Sequence, residues 1–200
     1  MKRTALLSVY DKTGIVDFGK KLKELGFDII ASGGTARELI ANGVEVRDVA
    51  SIVGEPILGH RVVTLSREIH AALLAQNTQV DIAELEKIGV PMINLVYVNM
   101  YPLAEEITKA DHTLASVIEK TDIGGPCMLR SAAKGRRIVM CNPDQIAEVL
   151  EKIQQYKFMD GGELPPGYIS KMVAIAEKEV ADYCYLSGDF HSEYATKHCF

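Results

Sequence analysis

Cysteine is scarce in these 200 residues, and its spacing excludes more than its number does. Cys127, Cys141, Cys184 and Cys199 form no Cys-x-x-Cys pair. A zinc knuckle or a redox dithiol therefore has no framework, and the four read as free thiols of a reducing compartment. The five histidines are scattered too, which leaves no cluster with metal-ligand spacing. There is no surplus of positive charge. Lys and Arg number 22 against 27 Asp and Glu, a formal net charge of -5. That excludes a basic field for nucleic acid and a polybasic membrane patch. No stretch is apolar for long enough to span a bilayer. Residues 1–9 place two cations before a short apolar run, but the run meets Asp11-Lys12 and has no small-residue cleavage site, so it is not a signal peptide. Internal repeats and low-complexity tracts are missing as well. Together these absences point to a cytoplasmic chain without a metal, a nucleic-acid partner or a membrane partner.

What is present suits one globular domain with an appended element: 48% of the residues are hydrophobic and 24% charged. Thr4–Val9 reads as a strand. Ile15, Phe18, Leu22 and Leu25 mark one face of a helix that Gly26 closes. A second strand, Phe27–Ala31, breaks into Ser32-Gly33-Gly34-Thr35, and a helix follows to Ala41. Val44–Arg47 reads as a short third strand. Two β-α-β units in succession imply a parallel sheet with helices on its faces. Residues 50–64 have no clean period. Helices are expected over 67–76 and 81–88, and Met92–Val98 is a near-continuous apolar run, hence a buried strand. A short helix at 113–119 leads to Asp122-Ile-Gly-Gly-Pro126, with a helix over 128–134 beyond it. Residues 136–141 form the last strand, and Asn142 caps a helix through Tyr156. Gly161-Gly162 and Pro165-Pro166-Gly167 compose a linker, and a long helix spans 169–186. The division is a nucleotide-binding α/β domain over 1–156 and a linker with a helical extension over 157–200, packed on that domain or on a partner subunit.

Ligands of parallel sheets sit outside the carboxyl ends of the strands. Several polar groups fall there: Ser8 with Lys12, the Ser32–Thr35 turn, Asn99 with Tyr101, and Asp122 with Gly124-Gly125. The double glycine at a helix start makes a cradle for a phosphate, with free amides, the positive end of the helix dipole and hydroxyls from Ser32 and Thr35. Each residue also has a plainer reading. Lys12 and Arg61 could be solvated charges, Asp122 a helix cap, His70 a packed histidine and Lys134 an ordinary helix-end lysine. The convergence on one edge is what favours a site.

The residues that carry a family likeness are Leu7-Ser-Val-Tyr-Asp-Lys-Thr-Gly-Ile15, Ala31-Ser-Gly-Gly-Thr-Ala36, Arg61-Val, Thr64-Leu, Asn99-Met-Tyr-Pro102, and Asp122-Ile-Gly-Gly-Pro126 through Leu129-Arg-Ser-Ala-Ala-Lys134. In these, over about residues 4–190, the chain resembles the IMP cyclohydrolase domain of the bifunctional purine-biosynthesis proteins. The resemblance implies an α/β, methylglyoxal-synthase-like three-layer fold with a mostly parallel central sheet and a C-terminal helical extension. It implies dehydrating ring closure of 5-formamidoimidazole-4-carboxamide ribonucleotide (FAICAR) to IMP, the last step of de novo purine synthesis. It further implies a homodimer, no metal and no organic cofactor. The formyltransferase domain of that family has no counterpart in these residues, so a separate AICAR formyltransferase is the expected source of substrate. Carried over position by position, Lys134, Tyr101 and Asp122 are the expected catalytic groups, with Lys134 as proton donor or acceptor. Ser8, Tyr10, Asp11, Lys12, Ser32, Gly33, Gly34, Thr35, Arg61, Val62, Val63, Thr64, Val98, Asn99, Ile123 and Gly124 are the expected substrate contacts.

The chain departs from the pattern in places. The family's Arg-Val-Lys-Thr-Leu-His-Pro-Lys-Ile-His-Gly-Gly reads here Arg61-Val-Val-Thr-Leu-Ser-Arg-Glu-Ile-His-Ala-Ala72. Val63 stands in place of a lysine, and Arg61 and Arg67 are the cations nearest to it in sequence. Tyr10 replaces a serine, and Gly135 replaces an asparagine. The alternative is therefore a purine-nucleotide or phosphate-binding regulatory module of the same fold with reduced or no turnover. A lyase acting on a small phosphorylated sugar is a third reading, disfavoured by the Asp122–Lys134 signature.

Overall fold

The computed structural model describes residues 3–199. Its centre is a five-stranded, all-parallel sheet in the order β3-β2-β1-β4-β5, with β1 at Thr4–Val9, β2 at Asp28–Ala31, β3 at Arg47–Asp48, β4 at Ile93–Asn99 and β5 at Ile138–Met140. Strands β1 and β4 lie in the middle and are buried on both faces. Leu6, Leu7, Leu95, Val96 and Tyr97 have no exposed surface. This is why their sequences run as continuous apolar stretches rather than alternating ones. The strand order reverses between β1 and β4, so the carboxyl ends of those two strands open a crevice.

Helices cover both faces: α1 (Ile15–Glu24), α2 (Gly33–Ala41), α3 (Ala50–Val53), α4 (Arg67–Leu74), α5 (Gln79–Lys87), α6 (Leu103–Thr108), α7 (Leu114–Lys120), α8 (Gly124–Lys134), α9 (Ile146–Gln155) and α10 (Pro166–Lys197). The expected stripe of α1 is its buried face, with Ile15, Phe18 and Leu22 in the core. Asn142 accepts from the Asp144 amide as expected, but the turn it caps is 3-10 (Pro143–Gln145), and α9 begins after it.

Five elements differ from the expectation, the long C-terminal helix among them. The third strand starts at Arg47, not Val44, because Val44 closes α2 instead. Its amide donates to the Leu39 carbonyl and the Gly43 amide to Ile40, with Gly43 at φ +77°, a Schellman termination whose following apolar residue is buried. Residues 50–64 are not wholly irregular. They hold the one-turn α3 and an antiparallel bridge between Ile57 and Val62. Helix α6 follows directly on Pro102 and buries Leu103, an element with no periodic signal of its own. Helix α8 begins at Gly124, four residues before Met128, for a reason given below.

Helix α10 is longer than expected. Ile169, Met172, Ala176 and Val180 enter the main core, where the helix lies against α8 and β5. Further along, Phe190 joins Leu103 of α6 and Val117 of α7 in a second, smaller cluster. Burying each such side chain removes about 1.5–3 kcal/mol worth of apolar surface from water. No helix among the described residues is long and apolar enough to cross a membrane.

Candidate functional site

The site assembles from three loops at the carboxyl edge. The first follows β1. Asn99, the last residue of β4, accepts on Oδ1 from the amides of Tyr10 and Asp11 (3.0 Å for Asp11) and returns Nδ2 to the Asp11 carbonyl at 2.9 Å. The side chain expected to grip substrate thus fastens the 10–11 loop across the crevice. Asp11 is turned along its own loop, accepting from the Thr13 amide and hydroxyl, which holds its carboxyl below the usual range. Lys12 folds back so that Nζ donates to the carbonyls of Val9 (3.3 Å) and Tyr10 (3.2 Å).

The second loop is the start of α2. Ser32 occupies the N-cap position with φ -84° and ψ 141°, but its hydroxyl does not cap the helix. It pairs with the Ser8 hydroxyl at 2.7 Å. Thr35 is 1% exposed, and its Oγ1 takes the Val9 amide (3.0 Å) and donates to the Val9 carbonyl (3.2 Å). It welds α2 to β1 and has no surface to offer a ligand. The amides of Gly33 and Gly34 make no hydrogen bond among the described residues. Neither glycine has a positive φ, so flexibility is not their role. A Cβ on Gly33 would meet nothing within 4 Å; one on Gly34 would lie 3.7 Å from Lys12 Nζ and 3.8 Å from Arg37 Nη2. Two cations thus converge above two unpaired amides at the positive end of a helix. Arg37 was not among the expected contacts. Its signal was its place one turn inside the helix that the glycines open.

The third loop joins α7 to α8 and stands beside the turn from β4 to α6 that carries Tyr101. Asp122 is largely withdrawn from water. Its Oδ1 accepts from the Gly125 amide at 3.0 Å, and the amides of Gly124 and Tyr101 also point at its carboxyl. Burial nevertheless outweighs these donors and pushes its pKa up. The carboxylate does the capping that Ile123, at the N-cap position, does not, which is why α8 starts at Gly124. The amides of this turn, including that of Gly124, an expected substrate contact, are turned toward Asp122. The Asp122 amide in turn donates to the Tyr183 hydroxyl of α10 at 2.7 Å. Thr64 is buried beside this turn: a Cβ on Gly124 would lie 2.6 Å from its Oγ1. Tyr101 stands half exposed in front, 5.2 Å from the Tyr10 ring and 5.8 Å from Lys120 Nζ. Val98, the penultimate residue of β4, is buried, and Ile123 is exposed.

Other expected residues lie elsewhere. Arg61 is exposed and bonds the Leu58 carbonyl within its own turn at 2.8 Å. Arg67 pairs with Glu68 on the surface. Val62 is half-buried, and Val63 packs against the core. Lys134 is exposed at the last turn of α8. Eleven residues of helix put it about 15 Å along the axis from Gly124, so one chain does not bring Lys134 to Asp122. Near it, His70 Nδ1 and Ser131 Oγ are 2.8 Å apart, and burial lowers the His70 pKa. Among the described residues no three His, Cys, Asp or Glu side chains are placed to hold a metal.

An open three-layer α/β domain, with its strand order reversing at a crevice edged by cationic and acidic side chains, defines the class. The chain belongs to the MGS-like domain family, whose model matches residues 14–127. It is similar to the bifunctional purine biosynthesis protein PurH of Cyanothece sp., 45% identical over 160 residues, covering 78% of this chain and 31% of that protein. It is 38% identical over 197 residues to PurH of Bacillus cytotoxicus, covering 96% of this chain and 38% of that protein. The chain thus spans about a third of the length of these relatives. Among solved structures, the crystal structure of ForH aligns with a TM-score of 0.77 and 31% identity, covering 95% of this chain and 98% of that one.

Proposed function

We propose that the chain is an IMP cyclohydrolase, closing the six-membered ring of FAICAR to IMP with loss of water in the cytoplasm. The observation that carries this reading is the pairing of two unlike sites on one edge. A cationic cradle lies at the ends of β1 and β2, and an acid–phenol corner, Asp122 with Tyr101, lies beyond β4. Strands β2 and β4 flank β1 and lie about two strand spacings, ~10 Å, apart. That is the span of a nucleoside monophosphate. The name of the PurH relatives supports a role in purine synthesis.

In this reading Lys12, Arg37 and the Gly33–Gly34 amides hold the phosphate. The carboxamide nitrogen attacks the formyl carbon and a C–N bond forms. The former formyl oxygen takes up the proton this nitrogen gives up and a second one from the formamide N–H, its bond to carbon breaks, and it leaves as water. Both reacting groups belong to one molecule, so fixing the productive rotamer supplies a large share of the acceleration. Tyr101 and Asp122 are the groups placed to move protons. A carboxyl lifted by burial exchanges its proton closer to neutral pH than a solvated one, as general acid–base work requires. Lys134 takes part only where a second copy brings it near. A homodimer belongs to this reading, and a stable monomer in light scattering counts against it.

Val63 and Lys134 favour the second reading, a nucleotide-binding module with little turnover, because neither supplies a cation at the Asp122 corner within one chain. Incubating the purified protein with FAICAR and following IMP by absorbance decides between them. Ring closure above the uncatalysed rate supports the enzyme. Tight IMP binding without ring closure supports the module.

A further inference from the structure

Tyr10 and Tyr101 are 48% and 46% exposed, large aromatic surface left in water at the crevice. Their centroids are 5.2 Å apart with ring planes at 60°. Both are held from the backbone side. Asn99 receives the Tyr10 amide, and the Tyr101 amide points toward the Asp122 carboxyl. Lys120 Nζ lies 5.8 Å from the Tyr101 centroid. Ile123, one residue beyond Asp122, is 55% exposed. The two phenol rings thus form a corner that is ordered before any ligand arrives. A flat heteroaromatic ring laid against it gains stacking energy without ordering new side chains. The corner stands on the β1–β4 side of the cradle, where a nucleotide anchored by its phosphate would carry its base.

We propose that Tyr10 is a specificity-determining residue, its ring forming with Tyr101 a wall that takes the purine base. This deepens the nucleotide reading above and rests on it, since a ligand without a base has no use for the wall. The chain has no tryptophan and eight tyrosines, so the part of the tyrosine-fluorescence quenching that Tyr10→Ala removes reports on the wall, and calorimetry gives affinities. The ligands are IMP, ribose 5-phosphate and inosine; the proteins are wild type, Tyr10→Ala and Tyr10→Phe. Wild type binds IMP about tenfold more tightly than ribose 5-phosphate. Tyr10→Ala erases that gain and leaves ribose 5-phosphate binding unchanged, while Tyr10→Phe keeps the gain. Unchanged IMP affinity in Tyr10→Ala overturns the proposal. So does an equal loss for both phosphates, which would make the ring a mere support for the Lys12 loop. Equal wild-type affinity for IMP and ribose 5-phosphate removes the wall but leaves the cradle. Tyr10-dependent binding of inosine, with no gain for IMP over inosine, removes the cradle but leaves the wall.

Discussion

Two helices of this fold open on a double glycine, and the two turns work in opposite ways. At the start of α2, Gly33 faces open space, Gly34 meets only the ends of Lys12 and Arg37 at ordinary contact distance, and both keep their amides unpaired. At the start of α8, Gly124 and Gly125 are hemmed in. Their amides point at the Asp122 carboxyl, and a Cβ would sit 2.6 Å from Thr64 Oγ1 or 2.5 Å from Asp122 Oδ2. The α2 turn leaves the positive end of its helix open for the guest proposed above. The α8 turn has a resident anion in the same place, and it positions that anion. The lesson is that a double glycine at a helix start marks where an anion can sit but does not say whether the chain supplies it.

The sharpest way to break this comparison is the same substitution in both turns. Gly125→Ala forces a methyl against Asp122 and to 3.2 Å from Met100 Cγ. It should lower stability by roughly 1–3 kcal/mol and abolish turnover, seen in denaturant unfolding and in the ring-closure assay. Gly34→Ala should do the reverse to the fold. Its φ suits any residue, its methyl meets only ordinary contacts, and replacing glycine in a helix adds up to ~1 kcal/mol. A Gly34→Ala variant as unstable as Gly125→Ala would end the contrast.

Next in size is the resident anion itself. Asp122→Asn should lower turnover by about a hundredfold or more if the carboxyl moves a proton. Its effect on stability follows from the raised pKa. The folded state holds that proton more tightly than the unfolded chain, so the stabilisation is present below the ordinary carboxylate range and is lost as pH rises through the folded value. At pH 7.5 the buried carboxylate burdens the fold, and asparagine relieves it. Unfolding curves should therefore show Asp122→Asn no less stable than wild type at pH 7.5, with any advantage gone at low pH. A large loss at pH 7.5 would mean that the hydrogen bonds outweigh the burial.

The guest site is tested by the smaller effects. Gly34→Ala, though folded, should bind IMP about tenfold more weakly, because its methyl crowds the unpaired amides and the cations. Arg37→Gln should weaken IMP by a few-fold, more at low salt than at high, since Arg37 is exposed and its charge is screened. Calorimetry at two salt concentrations checks both. An Arg37→Gln protein with unaltered affinity at low salt would leave Lys12 as the working cation.

Much of this molecule was legible in local pattern. The apolar runs of β1 and β4, the buried stripe of α1, the cap at Asn142 and the glycine turns all rest on forces that act within a few residues. The same locality explains the error at Val44, whose apolar character serves equally well in a strand and in closing a helix. Which side chains reach a ligand was not legible in that way. Asn99, Thr35 and Ser32 looked like free polar groups, and only long-range packing showed that they bind the 10–11 loop, Val9 and Ser8. Arg37 entered the cradle because α2 crosses beside the Lys12 loop. Lys134 left the corner because α8 runs its full length away from it. Hydrophobic periodicity and capping chemistry are properties of neighbouring residues, and the sequence by itself determined most of the elements, though not α3 or α6, and the edge where they end. Hydrogen-bond partners, burial and the reach of a charge depend on residues distant in the chain, and the tertiary structure alone decided those.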